Sequence, residues 1–88
     1  MTGTDWSNDR YLDLRGLACP LPVLKTRKAL LAMAPGKRLL VEASDPLAAI
    51  DIPHFLAGAG HAVAAAETAD GVYRCLVIRG PAAADASG

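Results

Sequence analysis

The residues with the clearest chemical potential are Cys19-Pro20-Leu21-Pro22. They stand just after Gly16, where a short extended segment stops and a helical pattern starts. A cysteine at a helix entry faces backbone N–H groups that have no partner within the helix. A thiolate there gains from the helix dipole and from hydrogen bonds of the first turn. Pro20 and Pro22 suit that turn, because the N–H each lacks would have had no helical partner. Leu21 and Val23 are left as N–H donors toward the sulfur. Dipole stabilisation of roughly 1 kcal/mol is worth about one pKa unit, which brings a thiol from near 8.5 to about 7–7.5. Arg15 and Lys25 would add a little. The expectation is a Cys19 that is nucleophilic without a dedicated base.

The fourth position of the motif argues about reaction type. A dithiol redox centre needs Cys-x-x-Cys, and here that place is Pro22. A sulfur adduct on Cys19 therefore has no sequence neighbour to release it, which favours a one-cysteine carrier. Cys75 lies in Tyr73-Arg74-Cys75-Leu76-Val77-Ile78, a run that reads as an inner strand, and is expected to be a core residue. His54 and His61 offer no spacing for a Cys–His dyad. No metal-ligand spacing joins the histidines to the cysteines, and no metal or other cofactor is expected.

The elements that must position Cys19 follow from patterning. Tyr11 to Leu14 reads as a strand and Pro20 to about Ala34 as a helix, with Val23, Thr26, Leu30 and Met33 at helical spacing. Pro35-Gly36 stops that helix. Arg38 to Ala43 is a second strand. Asp45 caps and Pro46 opens a second helix reaching about Ala57, with a kink or restart at Pro53. Ala62 to Glu67 is a weak strand, Asp70-Gly71 a hairpin turn, and Val72 to Arg79 the last strand. The order β-α-β-α-β-β gives an α/β two-layer sandwich. A mixed four-stranded sheet carries both helices on one face. Residues 1–9 and 80–88 read as flexible tails around a single domain over 10–79.

Composition bounds the rest. The 88 residues allow one domain, and a 52% hydrophobic content excludes a disordered chain. No apolar run suits a membrane span. The cysteines make no disulfide framework, and nothing near the start reads as a signal peptide, so free thiols in the cytoplasm are expected. The zero net charge hides a basic first half and an acidic second half. Arg15, Lys25 and Lys28, near Cys19, are candidate partner-docking residues. Neutral charge and few aromatics argue against a nucleic-acid-binding module, which stays as the third reading. The second is a small thiol redox or peroxide-responsive protein using Cys19.

The stretch Leu12-Asp13-Leu14-Arg15-Gly16-Leu17-Ala18-Cys19-Pro20-Leu21-Pro22-Val23 resembles the TusA/SirA-like sulfur-carrier family. So do Arg27-Lys28, Pro35-Gly36, Ser44-Asp45-Pro46, Asp51-Ile52-Pro53, Gly60-His61 and Tyr73-Arg74. The similarity spans Leu12 to Arg79, and Cys-Pro-x-Pro is its most specific part. It implies the strand order 1-2-4-3. It also implies that Cys19 accepts sulfane sulfur as a persulfide from a donor protein, a cysteine desulfurase or rhodanese. An acceptor protein, DsrE-like or similar, then takes it. Gly16, Pro20 and Pro22 would shape the turn. The implied settings are tRNA thiolation, sulfur oxidation or cofactor sulfur supply. A monomer is expected, with no direct nucleic-acid contact. Cys75 departs from the pattern, since relatives often carry an aromatic residue there, and the family reading gives it no role.

Overall fold

Short runs of Leu, Val and Ile form the centre of the sheet, because such residues can be buried on both faces of a strand. The computed structural model describes residues 5–81. The chain runs β1 (Arg10–Leu14), α1 (Leu21–Leu31), β2 (Arg38–Ala43), α2 (Ala48–Ala59), β3 (Ala62–Ala69) and β4 (Val72–Ile78). The sheet order is β1-β2-β4-β3. β1 and β2 are parallel, while β4 lies antiparallel to both β2 and β3. This is the mixed four-stranded α/β sandwich expected from the sequence.

Alternation along the strands sorts the side chains into two faces. Leu39, Val41 and Ala43 of β2 and Tyr73, Cys75 and Val77 of β4 share one core with Ala29, Leu30, Ala48, Ile52 and Leu56 of the helices. On α2 these members fall four residues apart, and on α1 the buried Pro22, Thr26 and Leu30 do too, with Ala29 beside them, so each helix turns one stripe to the sheet. Burying each Leu or Ile contributes roughly 1.5–3 kcal/mol. On the opposite face Leu40 and Leu76 are cross-strand partners, both buried. Beside them Glu42, Arg74 and Glu67 form a row across β2, β4 and β3, with Arg74 at 3.0 Å from Glu42 and 3.1 Å from Glu67. The Arg74 guanidinium also lies over the Trp6 ring, 4.6 Å from its centroid.

Four expectations need revision. α1 stops at Leu31 rather than near Ala34, because Ala32 and Met33 donate to Ala29 and Leu30 carbonyls and tighten the last turn. α2 runs unbroken through Pro53 to Ala59, two residues beyond the expected end. Pro53 lies early in the helix, where the N–H it lacks removes only one bond, that to Ala49. Asp45 does not cap α2 itself. Its Oδ1 accepts the Leu47 N–H at 3.0 Å and so fixes the turn that leads in. Residues 5–9, expected as part of a loose tail, are held to the fold. Asp9 and Arg38 exchange backbone and side-chain hydrogen bonds, and Arg38 Nη1 donates to the Ser7 carbonyl.

At the other end, Gly80 is packed against the fold. Its N–H donates to His61 Nδ1 at 2.8 Å, and a Cβ there would land on the Gly60 carbonyl oxygen. Residues 82–88 of the expected C-terminal tail lie outside the described residues. The hairpin turn is as expected: Asp70 and Gly71 both have positive φ, +53° and +77°, as a two-residue turn of this hand requires.

Candidate active site

Both helices follow parallel strands, so their N-terminal ends share one end of the sheet. Cys19 lies there, in the link between β1 and α1, and is exposed. Gly16 shapes the approach with a left-handed φ of +84°, and its N–H donates to Ser44 Oγ at 2.8 Å. The Cys19 N–H donates to Asp45 Oδ2 at 2.8 Å. Asp45 thus fastens the cysteine loop with one oxygen and the α2 entry turn with the other. The Cys19–Pro20 peptide bond is cis.

Pro22 does more than punctuate. It is fully buried at the start of α1, and its carbonyl accepts the Thr26 hydroxyl at 2.7 Å. With Pro20, Val23 and Ala48 it lines a shallow hollow beside Cys19, too slight to hold even a water, completed by Asp45 and Asp51. No cationic side chain lines it. A hollow this small cannot enclose a substrate, so a reaction partner must come to the exposed sulfur.

The electrostatics overturn the expected thiolate. The Leu21 N–H donates to the Ala18 carbonyl at 2.9 Å, not to the sulfur. Val23 makes no such bond either: the hydrogen-bond partner of Cys19 Sγ is Asp51 Oδ2, 3.6 Å away. The thiol is therefore pushed up from its ordinary range rather than down. Partial loss of water around the sulfur contributes most, then the hydrogen bond to Asp51, then the charges of Asp51 and Asp45. Arg15 does not offset them. It forms a two-pronged pair with Asp13, at 2.9 and 3.0 Å, which holds the Asp13 carboxyl at about 2.

The remaining candidates separate by position. Lys25 and Lys28 are exposed on α1. His54 is exposed on α2, and His61 is buried with its ring 6.3 Å from Phe55. Cys75 is fully buried in β4, and burial pushes its thiol up as well. The two cysteines thus have opposite access: one open to a partner, the other closed in the core.

The family model for Sulfurtransferase TusA matches residues 10–80. The chain belongs to this family. A solved SirA-like protein from Desulfitobacterium hafniense shares the fold, with a TM-score of 0.71 at 23% identity. The match covers 82% of this chain and 99% of that one. Sulfur transfer is therefore the general activity, and the match takes in the whole site, from Asp13 to Asp51.

The acidic partners of Cys19 are what the sequence reading missed. Asp51 stands in the first turn of α2 and Asp45 just before it. The signal was topological: two helices that follow parallel strands bring their entries together, and the second entry is the acidic one.

Proposed function

We propose that Cys19 is the sulfur-carrying residue of a persulfide relay. In the first step the Cys19 thiolate, its proton lost to water, attacks the outer sulfur of a donor persulfide R–S–SH. The donor S–S bond breaks, R–S⁻ leaves with the bonding pair, and Cys19–S–SH forms. In the second step an acceptor thiolate attacks that same outer sulfur, becomes R′–S–SH, and Cys19 leaves as thiolate. Atoms, electrons and charge balance in each step, and no outside oxidant is needed. This is thiol–disulfide exchange with sulfur as cargo.

One observation carries the reading. The exposed thiol stands alone, since the other cysteine is fully buried. With Pro22 at the fourth motif position, no internal thiol is placed to expel the cargo as sulfide. Exposure and the shallowness of the hollow beside the sulfur suit a protein that must meet a donor and then an acceptor. A cysteine desulfurase or rhodanese fits the first role and a DsrE-like protein the second, in the cytoplasm, with the carrier working as a monomer.

The test is loading from a persulfide donor, read by intact mass, on wild type, Cys19→Ser and Cys75→Ser. Wild type and Cys75→Ser should gain one sulfur atom, and Cys19→Ser none. Loading retained in Cys19→Ser overturns the assignment.

A further inference from the structure

We propose that Asp51, backed by Asp45, is a charge filter on Cys19 that selects persulfides flanked by cationic groups and turns away anionic sulfur donors. The proposal deepens the relay reading and rests on it for the identity of the cargo.

The geometry is specific. Asp51 Oδ2 sits 3.6 Å from the sulfur and Asp45 Oδ2 sits 2.8 Å from the Cys19 nitrogen. Three segments surround the sulfur. The α1 entry contributes Pro20, Pro22 and Val23, the α2 entry contributes Ala48 and Asp51, and the turn between β2 and α2 contributes Asp45. Among the described residues, the charged groups facing Cys19 are therefore carboxylates. The nearest basic candidate in sequence, Arg15, is occupied by Asp13.

An incoming anion must approach this pair with no cation beside it. Thiosulfate and small carboxylated persulfides are such anions. A donor cysteine next to Lys or Arg instead gains an ion pair with Asp51 as its persulfide reaches Cys19. Pairing Asp51 also removes the charge that opposes ionisation of the thiol, so the nucleophile forms where the cargo is. The occupant of the site is thus a persulfide with a basic neighbour.

The experiment has two arms. In the first, Cys19 is alkylated with neutral iodoacetamide and with anionic iodoacetate, in wild type and Asp51→Asn, with the modified residue located by mass. Asp51→Asn should raise the iodoacetate-to-iodoacetamide rate ratio about fivefold, the Boltzmann factor for unit charges about 4 Å apart in water. High salt should raise the same ratio in wild type, a measurement that needs no variant to fold. In the second arm, sulfur is supplied as the persulfide of cysteamine, a cation, or of N-acetylcysteine, an anion. Each reacts as R–S–SH + Cys19–S⁻ → R–S⁻ + Cys19–S–SH. Wild type should prefer the cation, and Asp51→Asn should lose most of that preference.

A rate ratio unmoved by both the substitution and salt overturns the filter, whatever the loading assay gives. So does an equal preference for the two persulfides in wild type and Asp51→Asn. If the alkylation ratio moves while Cys19→Ser still takes up sulfur, the relay reading falls and the electrostatic role of Asp51 stands.

Discussion

Asp45→Ala separates the positioning of Cys19 from its chemistry. Asp45 accepts two backbone N–H groups, from Cys19 at 2.8 Å and Leu47 at 3.0 Å. A typical hydrogen bond contributes about 1 kcal/mol net, and the donors here lie near the surface, where water can replace the carboxylate. Losing both should cost about 2 kcal/mol. For a domain of this size that lowers Tm by about 8–16 °C. Asp45→Asn should cost about half as much, because an amide has one accepting oxygen and its NH₂ cannot serve the second donor. The local signature is the Cys19 amide. Its hydrogen exchange, followed by NMR, should speed up about fivefold in Asp45→Ala, the factor that 1 kcal/mol gives. Amides of β2 and β4 should change only as global stability changes. Urea denaturation supplies the stability and amide exchange supplies the place. A loss under about 0.5 kcal/mol, with Cys19 amide exchange unchanged, would refute the claim that Asp45 holds the cysteine loop.

Two further outcomes are expected. Gly80→Ala should destabilise by about 1–3 kcal/mol, since the methyl meets Gly60 backbone that cannot yield as a side chain can, whereas Gly58→Ala, in open space on α2, should stabilise by about 0.5–1 kcal/mol; opposite shifts in urea midpoint check both. Reversing Lys25 and Lys28, exposed on α1, to Glu should slow transfer from an acidic-faced donor protein at low salt while leaving iodoacetamide modification of Cys19 unchanged; stopped-flow transfer at two salt concentrations checks it.

The parts of the fold visible in the sequence were those set by local chemistry. Asp70-Gly71 specified its turn because few residues other than Gly, Asn and Asp accept positive φ in succession. Gly16 ended β1 and Pro35-Gly36 followed α1 for related backbone reasons. The apolar run from Tyr73 to Ile78 marked an inner strand and, with it, a buried Cys75. What stayed hidden were contacts between residues distant in the chain. Asp9 joins Arg38, Gly80 rests on Gly60, and Asp51 reaches Cys19. None of these leaves a periodic trace. The misjudged thiol is the instructive case. The dipole of α1 and the two prolines are local to Cys19 and legible in the sequence. Loss of water around the sulfur, which raises the thiol most, and the Asp51 carboxylate 3.6 Å away depend on how the neighbouring helix entry packs and are not.

A thiol held above its ordinary range looks ill suited to a nucleophile, but carriage makes a second demand. In the relay proposed above, a loaded Cys19 would be the leaving group for whatever thiolate attacks the outer sulfur, and a thiol of higher pKa leaves more slowly. On that proposal Asp51 would act in the same direction at both stages, slowing capture of sulfur from stray donors and its loss to stray thiols. A cation from a partner, set against Asp51, reverses both effects: the empty thiol ionises more readily and the loaded one departs more readily. A dithiol centre meets these demands differently, since its second cysteine is always present and completes the reaction at once. In the proposed relay the completing group would belong to another protein, so the sulfur would be mobile in a complex and stored outside it.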